Sequence, residues 1–289
     1  MTTPTLWGYS FNGYLFGGDG QQVQVLDVDG LEDIPDLRTQ DENLGYMDGM
    51  ATGRDFVGGR TITFSLVIAP SPTQTSWDAL RSLQAMLQPS REGLGLLQFQ
   101  LPGRDVQRVL ARVRRRATPI NVPYSMGKIQ VALQFFAPDP LIYDDEEKGG
   151  TILAGMAAVP SSYRLYPRIF NTTYPLQGGG VSGALDCFNA GNRTVWPLFT
   201  IAGAVTNPGI QNRTTGENLE FTVTMGAADV LQVDTAHHTV TLNGANARNL
   251  LTSKSRWFGL EPGVSTSITI YSANVSTAQG IISYRNGYL

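Results

Sequence analysis

Around residues 232–270 the chain changes direction every few residues, and the residues at each change are those that tight turns between strands demand. Alternating runs at Val230–Asp234 and 238–243 flank a polar connection and predict a β-hairpin. Asn243-Gly244 follows, a pair that tolerates the positive φ ordinary residues resist. Then come a polar loop, the aromatic pair Trp257-Phe258, a Glu261-Pro262-Gly263 turn and a strand over 266–271 with Ile268 and Ile270 on one face. Nothing in this stretch pairs a nucleophile with a base or assembles a ligand set. It specifies scaffold.

The rest of the chain agrees. Only 16% of its 289 residues are charged, against about a quarter in ordinary globular proteins, so Ser, Thr, Asn and Gln must supply most polar surface. Residues 21–29 alternate, with Val23, Val25 and Asp27 on one side and Gln24, Leu26 and Val28 on the other. A glycine-punctuated loop over 43–59 precedes a strand at 60–69 whose apolar face is Ile62, Phe64, Leu66 and Ile68. After Pro70 and Pro72, Thr75 and Asp78 have capping-box spacing, and Trp77, Leu80, Leu83 and Leu87 form one helical stripe that ends before Pro89. That helix is expected to cover a sheet or barrel end. Further strands are predicted at 94–101, 106–118 and 128–138, then at 195–202, 219–225, 230–233, 239–242, 266–271 and 280–284. The fold class is therefore all-β with one helix.

Residues 144–150, four acids followed by Lys148 and a glycine pair, mark a hydrated boundary, which gives domains 1–148 and 149–289. Charge divides there too. Residues 1–148 carry 13 basic and 18 acidic side chains, net −5, and residues 149–289 carry 8 and 6, net +2. In the strand at 106–118, period two places Arg108, Leu110, Arg112, Arg114 and Arg116 on one face, opposite Val109, Ala111 and Val113. This basic stripe has no interleaved aromatics for base stacking, so a solvated or subunit-contact face is expected rather than a nucleic-acid groove.

Catalytic patterns fail one by one. Asp27-Val28-Asp29-Gly30 begins like a calcium loop, but Leu31 and Glu32 stand where an oxygen ligand and a glycine are needed. His237 and His238 are the only histidines, and adjacent strand residues point to opposite faces, which suits neither one metal nor a triad. No Gly-x-Ser-x-Gly elbow is present, and Gly178-Gly179-Gly180 lacks a phosphate-loop context. Cys187 stands alone and reads as a small buried residue. Met1–Trp7 lacks the basic region and apolar core of a secretory signal, so the Asn-x-Ser/Thr triplets at Asn171, Asn192, Asn212 and Asn274 are expected to be coincidental. No apolar run reaches the roughly 18 residues of a membrane span. No enzyme, cofactor or metal site is expected.

Three places resemble the distal tail proteins of long-tailed, non-contractile phages. They are Gly59-Arg60-Thr61-Ile62, the closure Ala137-Pro138-Asp139-Pro140-Leu141-Ile142-Tyr143, and an ordered series through the second half. The series runs Trp196-Pro197-Leu198-Phe199, Asn207-Pro208, Thr215-Gly216-Glu217, Val233-Asp234-Thr235, Thr239-Val240, Asn243-Gly244, Trp257-Phe258 and Pro262-Gly263. His237-His238 departs from it where an arginine is usual, as does Val264-Ser265 after Pro-Gly. The resemblance implies a tail-tube-like β-sandwich or barrel that closes into a hexameric ring, followed by a galectin-like or jelly-roll sandwich. Such a ring would join the tail tube protein to the central tip protein and act as hub for receptor-binding proteins. Tape measure protein or DNA would pass through the lumen, no membrane would be involved, and assembly in the host cytoplasm would place the ring at the virion's tail tip.

Ring closure needs heterologous surfaces. The expected contacts are the 43–59 arm, through Leu44, Gly45, Tyr46, Met47 and Gly49, and the stripe Arg108, Arg112, Arg114 and Arg116, facing the acids of 27–42. The rival reading is a carbohydrate-binding or receptor-binding sandwich with Trp196, Trp257 and Tyr271 stacking on sugar rings, although both tryptophans are expected to plug the core.

Overall fold

The computed structural model describes residues 3–71, 74–90, 93–156, 183–273 and 276–289. Pro72, the Gly178–Gly180 run and the triplets at Asn171 and Asn274 lie outside the described residues. The chain forms two units: residues 1–146 with Tyr288 and Leu289, and residues 147–287.

The first unit begins with a hairpin, β1 (Gly8–Phe11) and β2 (Tyr14–Gly17), then β3 (Val23–Asp29). Four two-residue strands follow: β4 (Leu37–Arg38), β5 (Glu42–Asn43), β6 (Met50–Ala51) and β7 (Phe56–Val57). The long strands are β8 (Arg60–Ile68), β9 (Gly95–Phe99), β10 (Gln107–Ala117) and β11 (Ile129–Ala137), with β12 (Ile142–Asp144) beyond them. They hydrogen-bond in the order β2-β1-β9-β10-β11-β8-β3, an open path among the described residues, so the unit is a sandwich and not a closed barrel. The sheet nevertheless curls over its core. Tyr9 of β1 meets Phe64 of β8 edge-on at 5.0 Å, and Phe11 meets Phe135 of β11 at 4.9 Å, although those strands are distant in the sheet.

β10 is the corner. Residues 107–111 pair with β9, residues 112–117 pair with β11, and a bulge lies between Val113 and Arg115. A second bulge, between Val25 and Asp27 of β3, overturns the alternation expected there. Val23, Val25 and Val28 oppose the buried Ile68, Leu66 and Phe64, and Leu26 is the extra residue, 62% exposed.

Helix α1 (Ser76–Met86) starts as its spacing predicts. The Thr75 hydroxyl accepts the Asp78 N–H at 3.2 Å and donates to the Asp78 carboxylate at 2.6 Å. Leu80, Leu83 and Leu87 are buried in the core, each worth about 2 kcal/mol of transfer free energy. Trp77 instead stays partly exposed and meets Tyr124 of the one-turn helix α2 (Val122–Ser125) at 4.7 Å.

Arg60 ties the unit together. It is 1% exposed; its Nε donates to Pro140 O at 2.9 Å, and one Nη donates to the carbonyls of Gly30, Leu31 and Asp33 at 2.8–2.9 Å. Gly30 sits at φ 84°, and a Cβ there would lie 2.0 Å from Thr61 O, so no other residue fits beside the arginine's strand. The Asp-Pro-x-x-Tyr closure has a matching cause. Asp139 accepts the Leu141 N–H at 3.0 Å and the Tyr143 hydroxyl at 2.7 Å. Burial, then the Asp139 charge, pushes the Tyr143 phenol far above its ordinary range.

The second unit is a two-sheet sandwich. Its strands are β13 (Lys148–Leu153), β14 (Gly155–Met156), β15 (Ala184–Phe188), β16 (Leu198–Ala202), β17 (Val205–Thr206), β18 (Gly209–Asn212) and β19 (Asn218–Glu220). They continue with β20 (Thr224–Met225), β21 (Val230–Asp234), β22 (Thr239–Leu242), β23 (Ala245–Asn246), β24 (Ser265–Ser272) and β25 (Gln279–Tyr284). One sheet runs β13-β25-β16-β21-β22-β23 and the other β14-β24-β18-β19, with β15 on β24. The expected hairpin is present, with Val233 opposite Val240. Two predicted strands are shorter than read. Pro197 has no N–H to donate, so β16 starts at Leu198. Phe221 bridges to Leu251, and Thr222 bonds Leu250 O at 2.8 Å, which divides 219–225 between β19 and β20.

Candidate assembly surfaces and an aromatic ledge

Among the described residues, four surfaces stand out for their chemistry. The first is the segment read as a loop over 43–59. It is a two-stranded ribbon: β4 pairs with β7, β5 with β6, and the Leu44 N–H closes the tip on Gly49 O at 3.3 Å. Asp41 accepts the Gly53 N–H at 3.0 Å. The ribbon exposes large apolar side chains among its charged ones. Tyr46 has no cover at all, and Leu37, Leu44, Met47, Met50 and Phe56 are all exposed. The guanidinium groups of Arg38 and Arg54 lie 5.9 and 5.4 Å from the Phe56 ring centre.

The second surface is the arginine strand, and its bulge corrects the one-face expectation. Arg115 opposes Gln134 and Arg116 opposes Leu133, so Arg116 turns to the inner side. There its guanidinium donates to Gln84 O at 3.0 Å and Leu87 O at 3.2 Å, satisfying carbonyls at the end of α1 and answering the helix dipole. Arg108 pairs with Asp145 at 3.5 Å, Arg112 is half-buried, and Arg114 lies 5.0 Å over the Phe136 ring. Arg115, absent from the predicted stripe, joins Arg114 on the open face.

The third was invisible in the sequence. A cavity of about 730 Å³ opens along β3, lined by Trp7, Leu26, Leu101 and Pro102 and by the acids Asp19, Asp27, Asp29, Glu32 and Asp33. Arg104 forms a two-pronged pair with Glu32 at 2.8 and 3.0 Å. Three separate chain segments build it, so no local pattern could reveal it.

The fourth joins two of the three predicted stacking residues. Trp196 is 43% exposed, and Phe258, not Trp257, fills the core, meeting Phe199 at 5.9 Å. His238 stacks on Trp257 at 4.7 Å and meets Trp196 edge-on at 5.9 Å. The hairpin turn puts it there. Asp234 accepts the Ala236 and His237 N–H groups at 2.9 and 3.1 Å and bonds the His237 ring at 2.7 Å, while the Thr235 hydroxyl donates to Pro197 O at 2.6 Å. Burial alone would raise the Asp234 carboxyl, but these hydrogen bonds outweigh it and hold it below the ordinary range. Tyr271 does not join the cluster. Its ring covers Gly209, its hydroxyl bonds Glu220 at 3.3 Å, and burial followed by the Glu220 charge pushes its pKa to about 12. Cys187 is fully buried, its thiol pushed up to about 11 first by burial and then by Asp186. Asn212, in a predicted triplet, is buried with its side chain accepting the Thr214 and Thr215 N–H groups.

Residues 190–288 match the family model described as the siphovirus-type tail component, C-terminal domain. No curated protein sequence matches the chain. Among solved structures, the chain is similar to the Dit protein of phage SPP1, described as a paradigm of hub adsorption apparatus in phages infecting Gram-positive bacteria. The TM-score is 0.66 at 14% identity, covering 98% of this chain and 99% of that one. It is also similar to a chain of the phage P2 baseplate in its activated conformation with calcium, with TM-score 0.52, 10% identity and coverage of 98% and 99%. Residues 190–288 therefore carry the siphovirus-type tail component C-terminal domain, and nearly the whole chain has the fold of the Dit protein.

Proposed function

We propose that six copies of this chain close into a ring that joins the tail tube to the tail tip and serves as the docking hub for adsorption proteins. The role is architectural, not catalytic. The carrying observation is the ribbon of residues 37–57, whose large apolar side chains a single copy leaves uncovered. The acid-lined cavity along β3 and the open Arg114 and Arg115 supply surfaces of opposite sign, as a head-to-tail contact requires. Arg108 and Arg112 extend the basic side. The tube protein, the central tip protein and receptor-binding proteins are the partners, and tape measure protein or DNA occupies the lumen transiently. The ring sits in the virion at the tail tip, after assembly in the host cytoplasm.

Light scattering on the purified chain tests this. Six copies of 31.3 kDa give roughly 190 kDa under cyclic closure. A mass of 31.3 kDa at high concentration overturns the reading.

A further inference from the structure

We propose that the outward face of the ribbon around Val195 and Leu260 is a saccharide site that takes a single pyranose ring. The ribbon is short and its register is clear: Val195 N–H donates to Leu260 O at 3.1 Å, and Leu260 N–H to Val195 O at 2.7 Å. Val195, Phe258 and Leu260 are buried at 2% exposure or less, so they form the inner face. Period two then sends Thr194, Trp196, Trp257, Gly259 and Glu261 outward together.

That outward face has the two halves that sugar recognition needs. Indole rings offer a flat apolar surface to the C–H face of a pyranose, and Trp196 leaves 43% of its area open for this. A carboxylate accepts hydrogen bonds from ring hydroxyls. The Glu261 Oε2 accepts the Thr194 hydroxyl at 2.9 Å, which fixes carboxylate and hydroxyl beside the rings. Gly259 lies between. A Cβ there would come 2.6 Å from the Thr194 methyl and 3.5 Å from the Trp196 ring, so glycine keeps the floor low. His238 braces the tryptophans from the hairpin turn, 4.7 Å from the Trp257 ring centre, and narrows the available stacking surface to Trp196. A peptide occupant is disfavoured by the backbone: Val195 and Leu260 spend their N–H and C=O groups on each other, which leaves no strand edge at the centre of the ledge.

This site stands on the second unit alone and is independent of ring formation. The test is titration of the full chain with methyl glucoside, methyl galactoside and methyl N-acetylglucosaminide, with glycerol as polyol control, followed by tryptophan fluorescence and calorimetry. One of the three glycosides binds saturably with a Kd of about 1 mM, the range open to a ligand of this size. Trp196→Ala weakens it about tenfold or more and Glu261→Gln about threefold, while Tyr271→Phe leaves it unchanged. Both ledge side chains are on the surface, so the variants keep the wild-type Tm. Absence of saturable binding by all three glycosides overturns the proposal. So does an equal response to glycerol, or an affinity untouched by both Trp196→Ala and Glu261→Gln.

Discussion

The two units are built by the same rules and finish their surfaces differently. In the second, turns are closed by their own side chains. Asn207 accepts the Val223 N–H at 3.1 Å, Asn243 accepts the Val230 N–H at 2.9 Å and donates to Asp229 at 2.8 Å, and Asp234 organises the hairpin tip. In the first, the most exposed large apolar side chains of all the described residues, Tyr46, Ile120, Met126, Met47 and Ile34, face solvent, and an acid-lined cavity lies along an edge strand. A surface of that kind is normal for a piece that completes itself on a neighbour and unusual for one that works alone. In the proposed ring, the first unit would carry the assembly contacts and the second would present the proposed saccharide ledge.

The strongest way to break this comparison is to remove the ribbon tip. Deleting residues 44–53 leaves a monomer of about 30 kDa by light scattering in place of the proposed ring of roughly 190 kDa. A ring that survives the deletion ends the ribbon's claim to be the assembly element. Next in size, Arg60→Ala takes the donor from one buried and three partly buried carbonyls and leaves a hole in the core, destabilising the first unit by about 3 kcal/mol. Hydrogen exchange localises the loss to Gly30–Asp33 and Leu141, next to Pro140, and the β21–β22 hairpin keeps its protection. A smaller effect is expected from Arg114→Glu with Arg115→Glu, which weakens ring assembly about tenfold at low salt and less at high salt, because exposed charges are screened. Equal weakening at both ionic strengths removes charge from the contact.

The smallest effect sharpens the other half of the comparison. The folded Asp234 carboxyl titrates below its unfolded value of about 3.9, so its contribution is present above that pH and is lost as pH falls through the lower folded value. Partial exposure limits it to less than about 1 kcal/mol. Asp234→Asn removes this acid limb from an unfolding-versus-pH curve, and an unchanged limb assigns the effect to other carboxylates.

Local chemistry was legible in the sequence because its causes are local. The capping pair Thr75 and Asp78, the apolar face Ile62, Phe64, Leu66 and Ile68, and the Val230–Asp234 hairpin follow from spacing within one or two turns of chain. The resemblance carried by Asp139 to Tyr143 and by Asp234 and Thr235 was visible as motif, and the structure gives its reason in side chains that bond nearby backbone.

What only the tertiary structure decided begins at the two bulges. One inserted residue reverses every later side chain on its strand, so Arg116 left the predicted stripe to hold the end of α1 and Val28 entered the core in place of Asp27. No pattern of period two announces such an insertion, since the energy that selects it comes from partners far away in the chain. The same holds for the acid-lined cavity and for the meeting of Trp196, His238 and Trp257. Sequence determined which segments become strands and where they turn; the pairing of strands distant in sequence determined which side chains share a surface, because only folding sets their register.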